Sequence, residues 1–178
     1  MNNNKSVQWL TRTAMLLATA LLVQLLRFVI PGDSIITTYI ISSLINAVLV
    51  VAAASVNPWS GLVVALATPL VAFFQGHLPN PVMIPFVAVG NAFVALSGGF
   101  AIPRLKARWW ALPKGVVLKY AATVLGTAIV LSTKKGAPIS AVAGTALAQQ
   151  FVQLPTAVIG MVIAYPVFRA LKWNKKTK

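Results

Sequence analysis

The chain has 178 residues, is 58% hydrophobic and 9% charged, and has a mean hydropathy of +0.84, whereas soluble domains carry roughly 25% charged residues. So short a soluble fold could not hide this much apolar surface, because small folds leave much of their surface in water. The net charge of +14 sets 15 Lys and Arg against a single acid, Asp33; with no soluble basic domain and no recognition helix, that balance points to lipid and topology and excludes nucleic acid as a partner.

About 20 apolar residues cross the ~30 Å hydrocarbon layer, and six runs approach that length. The first extends from Val7 to Ile30 and stops at Pro31, Gly32 and Asp33. The second extends from Ile35 to Val56 and stops at Asn57 and Pro58, both stops being turn chemistry. The first run lacks a small-residue cleavage site followed by a mature domain and is expected to be a true span. The third, Ser60 to Gln75, ends in GHLPNP, where Gly76, Pro79, Asn80 and Pro81 cannot all continue one helix. The fourth, Val82 to Ile102, carries Pro85 in its first turns, where proline is tolerated. PRLKARWWALPKG then reads as a basic, aromatic interfacial loop.

The fifth run spans Val116 to Ser132 and, after TKKGAP, the sixth spans Ile139 to Leu171. The sixth is too long for one straight crossing. Pro155 and Pro166 are expected to kink or break it, with residues 136–148 forming a partly re-entrant piece over a cavity. The expectation is one membrane domain over residues 1–178, all-α, an integral membrane protein of six transmembrane helices. Lys5 and Arg12, then Arg104, Lys106, Arg108, Lys114 and Lys119, then Arg169, Lys172, Lys175, Lys176 and Lys178 fall on one side. Arg27, Lys134 and Lys135 fall on the other. Lys and Arg are retained on the cytoplasmic side, which puts both termini there, with Trp9, Trp109, Trp110 and Trp173 at the inner interface.

Several chemistries lack their residues. With no cysteine, thiolate catalysis, disulfides and thiolate metal sites are excluded. There is no GxxxxGK[ST] loop to cradle ATP. His77 and Asp33 are too few for a metal site, and no nucleophile elbow supports a Ser/His/Asp arrangement. A proton relay needs an ionisable group within the membrane, and the chain has no Glu and its one Asp at a predicted loop. No catalysis, metal or cofactor is expected.

The polar residues inside the runs carry what remains. Asn46 and Asn91 sit mid-span, where an unpaired amide is costly, and read as interhelical hydrogen bonding. Gln149 and Gln153, four apart on one helical face, and Gln150 are open to either helix contact or ligand contact. His77 and Asn80 lie in the loop after the third run, as solvated loop residues or as part of a lid. Ala14 and Ala18 form an AxxxA step that lets another helix approach closely, within the chain or outside it.

The basic amino terminus leading into RTAMLLATALL with its AxxxA step, the stretch GHLPNPVMIPFVAVGNA and the basic tail together resemble the substrate-binding S-component of energy-coupling factor (ECF) transporters, over nearly the whole chain. The resemblance implies a vitamin receptor of a bacterial cytoplasmic membrane. It would capture substrate at the outer face and topple to release it inward, driven by a transmembrane coupling subunit and two cytosolic ATPases. Carried onto this sequence, the docking residues are Ala14 and Ala18. The pocket residues are Asp33, Tyr39, His77, Asn80, Asn91, Gln149, Gln150 and Gln153. The sequence looks most like the cobalamin-type members, so cobalamin is the first substrate expected, then pantothenate, then pyridoxine or a queuosine precursor. The rival readings are a structural or assembly membrane protein with no small ligand, and a stand-alone channel or carrier.

Overall fold

The computed structural model describes residues 3–29, 35–78 and 80–176, and among them the chain is helical with no strand. Helix α1 covers Asn3–Val29, α2 Ile35–Ser55, α3 Pro58–Phe74 and α4 Met83–Ala101. A 3-10 turn at Ile102–Arg104 leads to the short α5, Leu105–Arg108. Helices α6 (Ala111–Lys135), α7 (Ile139–Gln150) and α8 (Gln153–Lys176) follow.

Local chemistry sets most of these ends. Asn57 caps α3, its Oδ1 accepting the Ser60 backbone N–H at 2.8 Å, with Pro58 in the first position where no N–H is needed. At the far end of α3, Gly76 takes φ 75°, and the N–H groups of Gln75 and His77 close on the carbonyls of Val71 and Ala72. Asn80 Oδ1 then accepts the Val82 N–H at 3.0 Å to start α4. Helix α6 ends where Gly136 turns left-handed at φ 61°, a conformation that strains any residue with a Cβ.

Helices α2 and α4 form the middle of the bundle. α4 packs on α2, α3 and α6, α2 packs on α8, α1 lies across α2 and α3, and α7 lies on α6. The backbones approach closely through glycine. A Cβ at Gly160 would come within 2.4 Å of Asn46 Cβ, and one at Gly98 within 2.6 Å of Val50, so α8 and α4 meet α2 almost backbone to backbone. Two ends of the bundle can be told apart. The loop end carries the end of α1, the α3–α4 connection and the α6–α7 connection. The basic end carries Arg104, Lys106, Arg108, Lys114 and Arg169.

Among the described residues, five stretches are long and apolar enough to cross a membrane: Ser6–Val29, Ile35–Ser55, Met83–Arg108, Ala111–Lys135 and Ile139–Leu171. Helix α3, at 17 residues, is a shorter apolar helix. Large apolar side chains stand on the outside, among them Leu10, Phe28, Phe74 and Val162. These helices fit a multi-pass membrane protein.

Two local expectations need correction, and a third is refined. The basic, aromatic stretch after α4 is helical rather than a loop. α6 begins at Ala111, because Pro113 sits in its first turn, where the missing N–H costs nothing. The break expected in the last segment falls at Phe151 and Val152, just before Pro155. Pro155 has no N–H to offer the Phe151 carbonyl, which accepts instead from Leu154 at 3.1 Å in a tighter turn. Pro166, by contrast, lies inside α8 without ending it. Lys119 is the second correction, and it defines the centre of the bundle.

Candidate functional site

Sequence reading assigned Lys119 to the cations flanking a loop. Because α6 starts early, Lys119 lies eight residues, ~12 Å, into the helix, and it is buried at 4% exposure. Its Nζ donates to Asn46 Oδ1 on α2 at 2.6 Å and to Asn91 Oδ1 on α4 at 3.0 Å. Gly90 lies against its aliphatic stem, a Cβ there falling 3.2 Å from Lys119 Cγ. Lys119 thus places an ionisable side chain inside an apolar segment, where sequence reading weighed only Asp and Glu.

The network continues across the bundle. Asn91 Nδ2 donates to Thr68 Oγ1 on α3 at 3.2 Å, and Gln24 Nε2 on α1 donates to the Thr68 carbonyl at 2.8 Å. Gln24, Thr68, Asn91, Lys119 and Asn46 thus form one relay through α1, α3, α4, α6 and α2, all of it buried. In an apolar surround each bond matters chiefly through the penalty for leaving it unmade. The relay is incomplete: Asn46 Nδ2, Ser43 Oγ and Gln24 Oε1 are buried without a hydrogen-bond partner among the described residues.

A polar stripe on α6 runs from Lys119 through Thr123 to Thr127, one turn apart each. Thr123 Oγ1 returns to the carbonyls of Lys119 and Tyr120. Thr127 Oγ1 accepts from Gln150 Nε2 at 2.8 Å, and Gln153 Nε2 lies 3.5 Å from Gln150 Oε1. Gln150 and Gln153 flank the α7–α8 break, so the break, the two glutamines and the α6 stripe meet toward the loop end. On α2, Tyr39, Ser43 and Asn46 share a face that descends from the loop end to Lys119.

The residues singled out from sequence are thus divided. Asn91 is in the relay, and Gln150 and Gln153 meet at the break. Gln149 is exposed and Tyr39 half-buried. His77 is half-buried, its ring 5.5 Å from that of Phe28, which brings the α3–α4 connection onto the end of α1. Asn80 is engaged in its turn. Asp33 lies outside the described residues. Ala14 and Ala18 are both exposed, since α1 turns Thr13, Ala20 and Gln24 inward. Among the described residues no group of acids, histidines and cysteines could hold a metal.

Sequence reasoning took Asn46 and Asn91 as interhelical hydrogen-bonding residues and missed the donor between them. One signal was available. Lys119 stands inside VVLKYAATVLGTAIVLS, with apolar residues on both sides, whereas the other cations of that region precede the run. No protein-family model, curated protein or solved structure matches this chain. Its class is that of an apolar, multi-helix bundle with a buried polar centre and a broken last segment, and its function rests on that geometry and on the resemblance drawn from sequence.

Proposed function

We propose that the chain is the substrate-capturing subunit of an ECF-type importer, an S-component with six spans, α3 being the short one, and both termini cytoplasmic. The observation that carries this reading is the break at Phe151 and Val152, where Gln150 and Gln153 gather beside Thr127 above the Lys119 centre. Broken helices in membranes line ligand sites, because their freed backbone groups must face protein or water rather than lipid. The loop end, with its few cations, faces outward, and the basic end faces the cytoplasm; removing Lys119 from the inner cations leaves that bias intact.

The exposed AxxxA face of α1 supports the coupling half of the proposal. Ala14 and Ala18 are not consumed by packing within the chain and remain available to a helix of the coupling subunit. ATP hydrolysis would belong to two cytosolic partners. Co-expression with a coupling module and titration of the purified protein against vitamins test the two halves. Submicromolar binding without the module, and uptake only with it, are the expected results; uptake by the chain alone in proteoliposomes would overturn the proposal.

Lys119 gives weight to a second reading, a self-contained carrier, because ionisable groups inside spans mark substrate and ion pathways. The same proteoliposome experiment separates the two. A carrier moves substrate down its gradient without ATPase partners, and a capture subunit does not.

A further inference from the structure

We infer that the polar centre around Lys119 receives an anionic group, a carboxylate, of the captured substrate. This names the substrate class of the proposed receptor and rests on that reading. Three observations converge on it.

The first is charge. Lys119 is the cation of the centre, and its two partners are neutral amide oxygens. The chain's one acid, Asp33, precedes α2, and Asn46 lies eleven residues, ~16 Å, down that helix. A buried charge is costly unless it is paired and hydrogen-bonded, and a carboxylate would supply the pairing that the amides supply only in part.

The second is the sense of the hydrogen bonds. The acceptor oxygens of Asn46 and Asn91 are already engaged by Lys119, and Asn91 Nδ2 is engaged by Thr68. Next to Lys119, what is left over can donate: the third N–H of Lys119, the Asn46 Nδ2 group and the Ser43 hydroxyl, the last two buried without a partner among the described residues, while the leftover acceptor, Gln24 Oε1, belongs to the α1 end of the relay. Ser43 and Asn46 are three residues apart on one face of α2. An ammonium, an amide NH₂ and a hydroxyl suit two carboxylate oxygens; they would not suit a cation.

The third is the approach. By helical register Tyr39, Ser43 and Asn46 share one face of α2 and Thr127, Thr123 and Lys119 one face of α6, and Gln150 bonds Thr127 with Gln153 beside it at the α7–α8 break. A ligand with a neutral polar body and a carboxylate at one end matches amides and hydroxyls near the loop end and a lysine below them. This revises the substrate order drawn from sequence, which put cobalamin first.

The test titrates the purified full chain in detergent with matched acids and neutral analogues: pantothenate with pantothenol, nicotinate with nicotinamide, biotin with biotinamide. The expected result is that one acid binds and its neutral analogue binds at least roughly tenfold more weakly. Lys119→Met should abolish that preference. Should Lys119→Met fail to fold, Ser43→Ala decides: removing an unpartnered hydroxyl leaves the melting temperature unchanged while the acid binds roughly three- to tenfold more weakly. Equal binding of acid and neutral analogue, or full affinity in Ser43→Ala, overturns the carboxylate assignment and leaves the receptor standing. Silence of the folded protein toward both series overturns the receptor reading, and this inference falls with it.

Discussion

Helix α1 and the α2–α4–α6 centre use polar and small residues in opposite ways. Only 17% of the α1 span is buried inside the bundle, against 50% for α2 and 39% for each of the spans containing α4 and α6. In the centre, glycine brings backbones together within the chain and polar groups bond to one another. On α1, a polar stripe ties the helix down, through Thr13 to Ser60 Oγ at 2.8 Å and Gln24 to the Thr68 carbonyl. Its small residues, Ala14 and Ala18, face away. Small residues in a membrane helix therefore need not mark an internal contact; the polar stripe shows which face is internal. The following substitutions, ordered by their expected effect on the stability of the isolated protein, sharpen or break that contrast.

The largest effect is expected for Asn91→Ala. It removes an acceptor from Lys119 and a donor to Thr68 and leaves a cavity beside a lysine, a combination that should cost about 3 kcal/mol. Thermal unfolding in detergent checks it. A loss of under about 1 kcal/mol would mean that the relay does not hold the centre together.

Next comes Gly160→Ala on α8, expected to destabilise by about 2 kcal/mol through overpacking, because the added Cβ would press on Asn46 Cβ and the Ser43 carbonyl. Its control is Gly144→Ala on α7, where the added Cβ meets nothing. There the better helix propensity of alanine should stabilise by about 1 kcal/mol. Opposite signs at two helical glycines would show close approach in the centre; equal signs would contradict it.

Much of this contrast was legible in the chain before folding, and some was not. The helices follow the apolar runs because lipid-length hydrophobic stretches punctuated by Pro, Gly and Asn leave few alternatives, as at Asn57 and Pro58 or at Gly76. Asn46 and Asn91 were readable as internal hydrogen-bonding residues, since mid-span amides must find partners. Lys119 was legible only in part: apolar residues flank it on both sides, but a lysine close behind a basic loop has the same local signal whether it snorkels outward or turns inward. Only the position of the helix start, which Pro113 allows to move back to Ala111, decides between them. The outward face of Ala14 and Ala18 was equally hidden, since an AxxxA step looks the same on either side of a helix. The meeting of Gln150 with Thr127 depends on long-range packing of α7 on α6, which no local pattern encodes.

Gln24→Ala should weaken the attachment of α1 by about 1 kcal/mol, the worth of one buried hydrogen bond. Its Oε1 has no partner among the described residues, so its loss adds nothing further. Hydrogen exchange along α1 is the suitable measurement. Faster exchange confined to residues 3–29 would show that the polar stripe holds the helix, whereas faster exchange at Asn91 and Lys119 would show that α1 is part of the centre.

The smallest effect on stability is expected for Ala14→Trp and Ala18→Trp. Both positions are exposed, and surface substitutions away from packed features usually stay within about 0.5 kcal/mol. The added indoles should leave the melting temperature and ligand affinity of the isolated chain unchanged while abolishing uptake in cells that express the coupling module, because a helix cannot approach closely over a tryptophan. Loss of uptake with intact binding would divide the molecule as the contrast requires, with capture inside and coupling on the outer face of α1. If uptake persists, the coupling subunit docks elsewhere, and the exposed alanines serve only lipid. If binding fails as well, α1 is not peripheral to the centre, and the relay through Gln24 carries more than attachment.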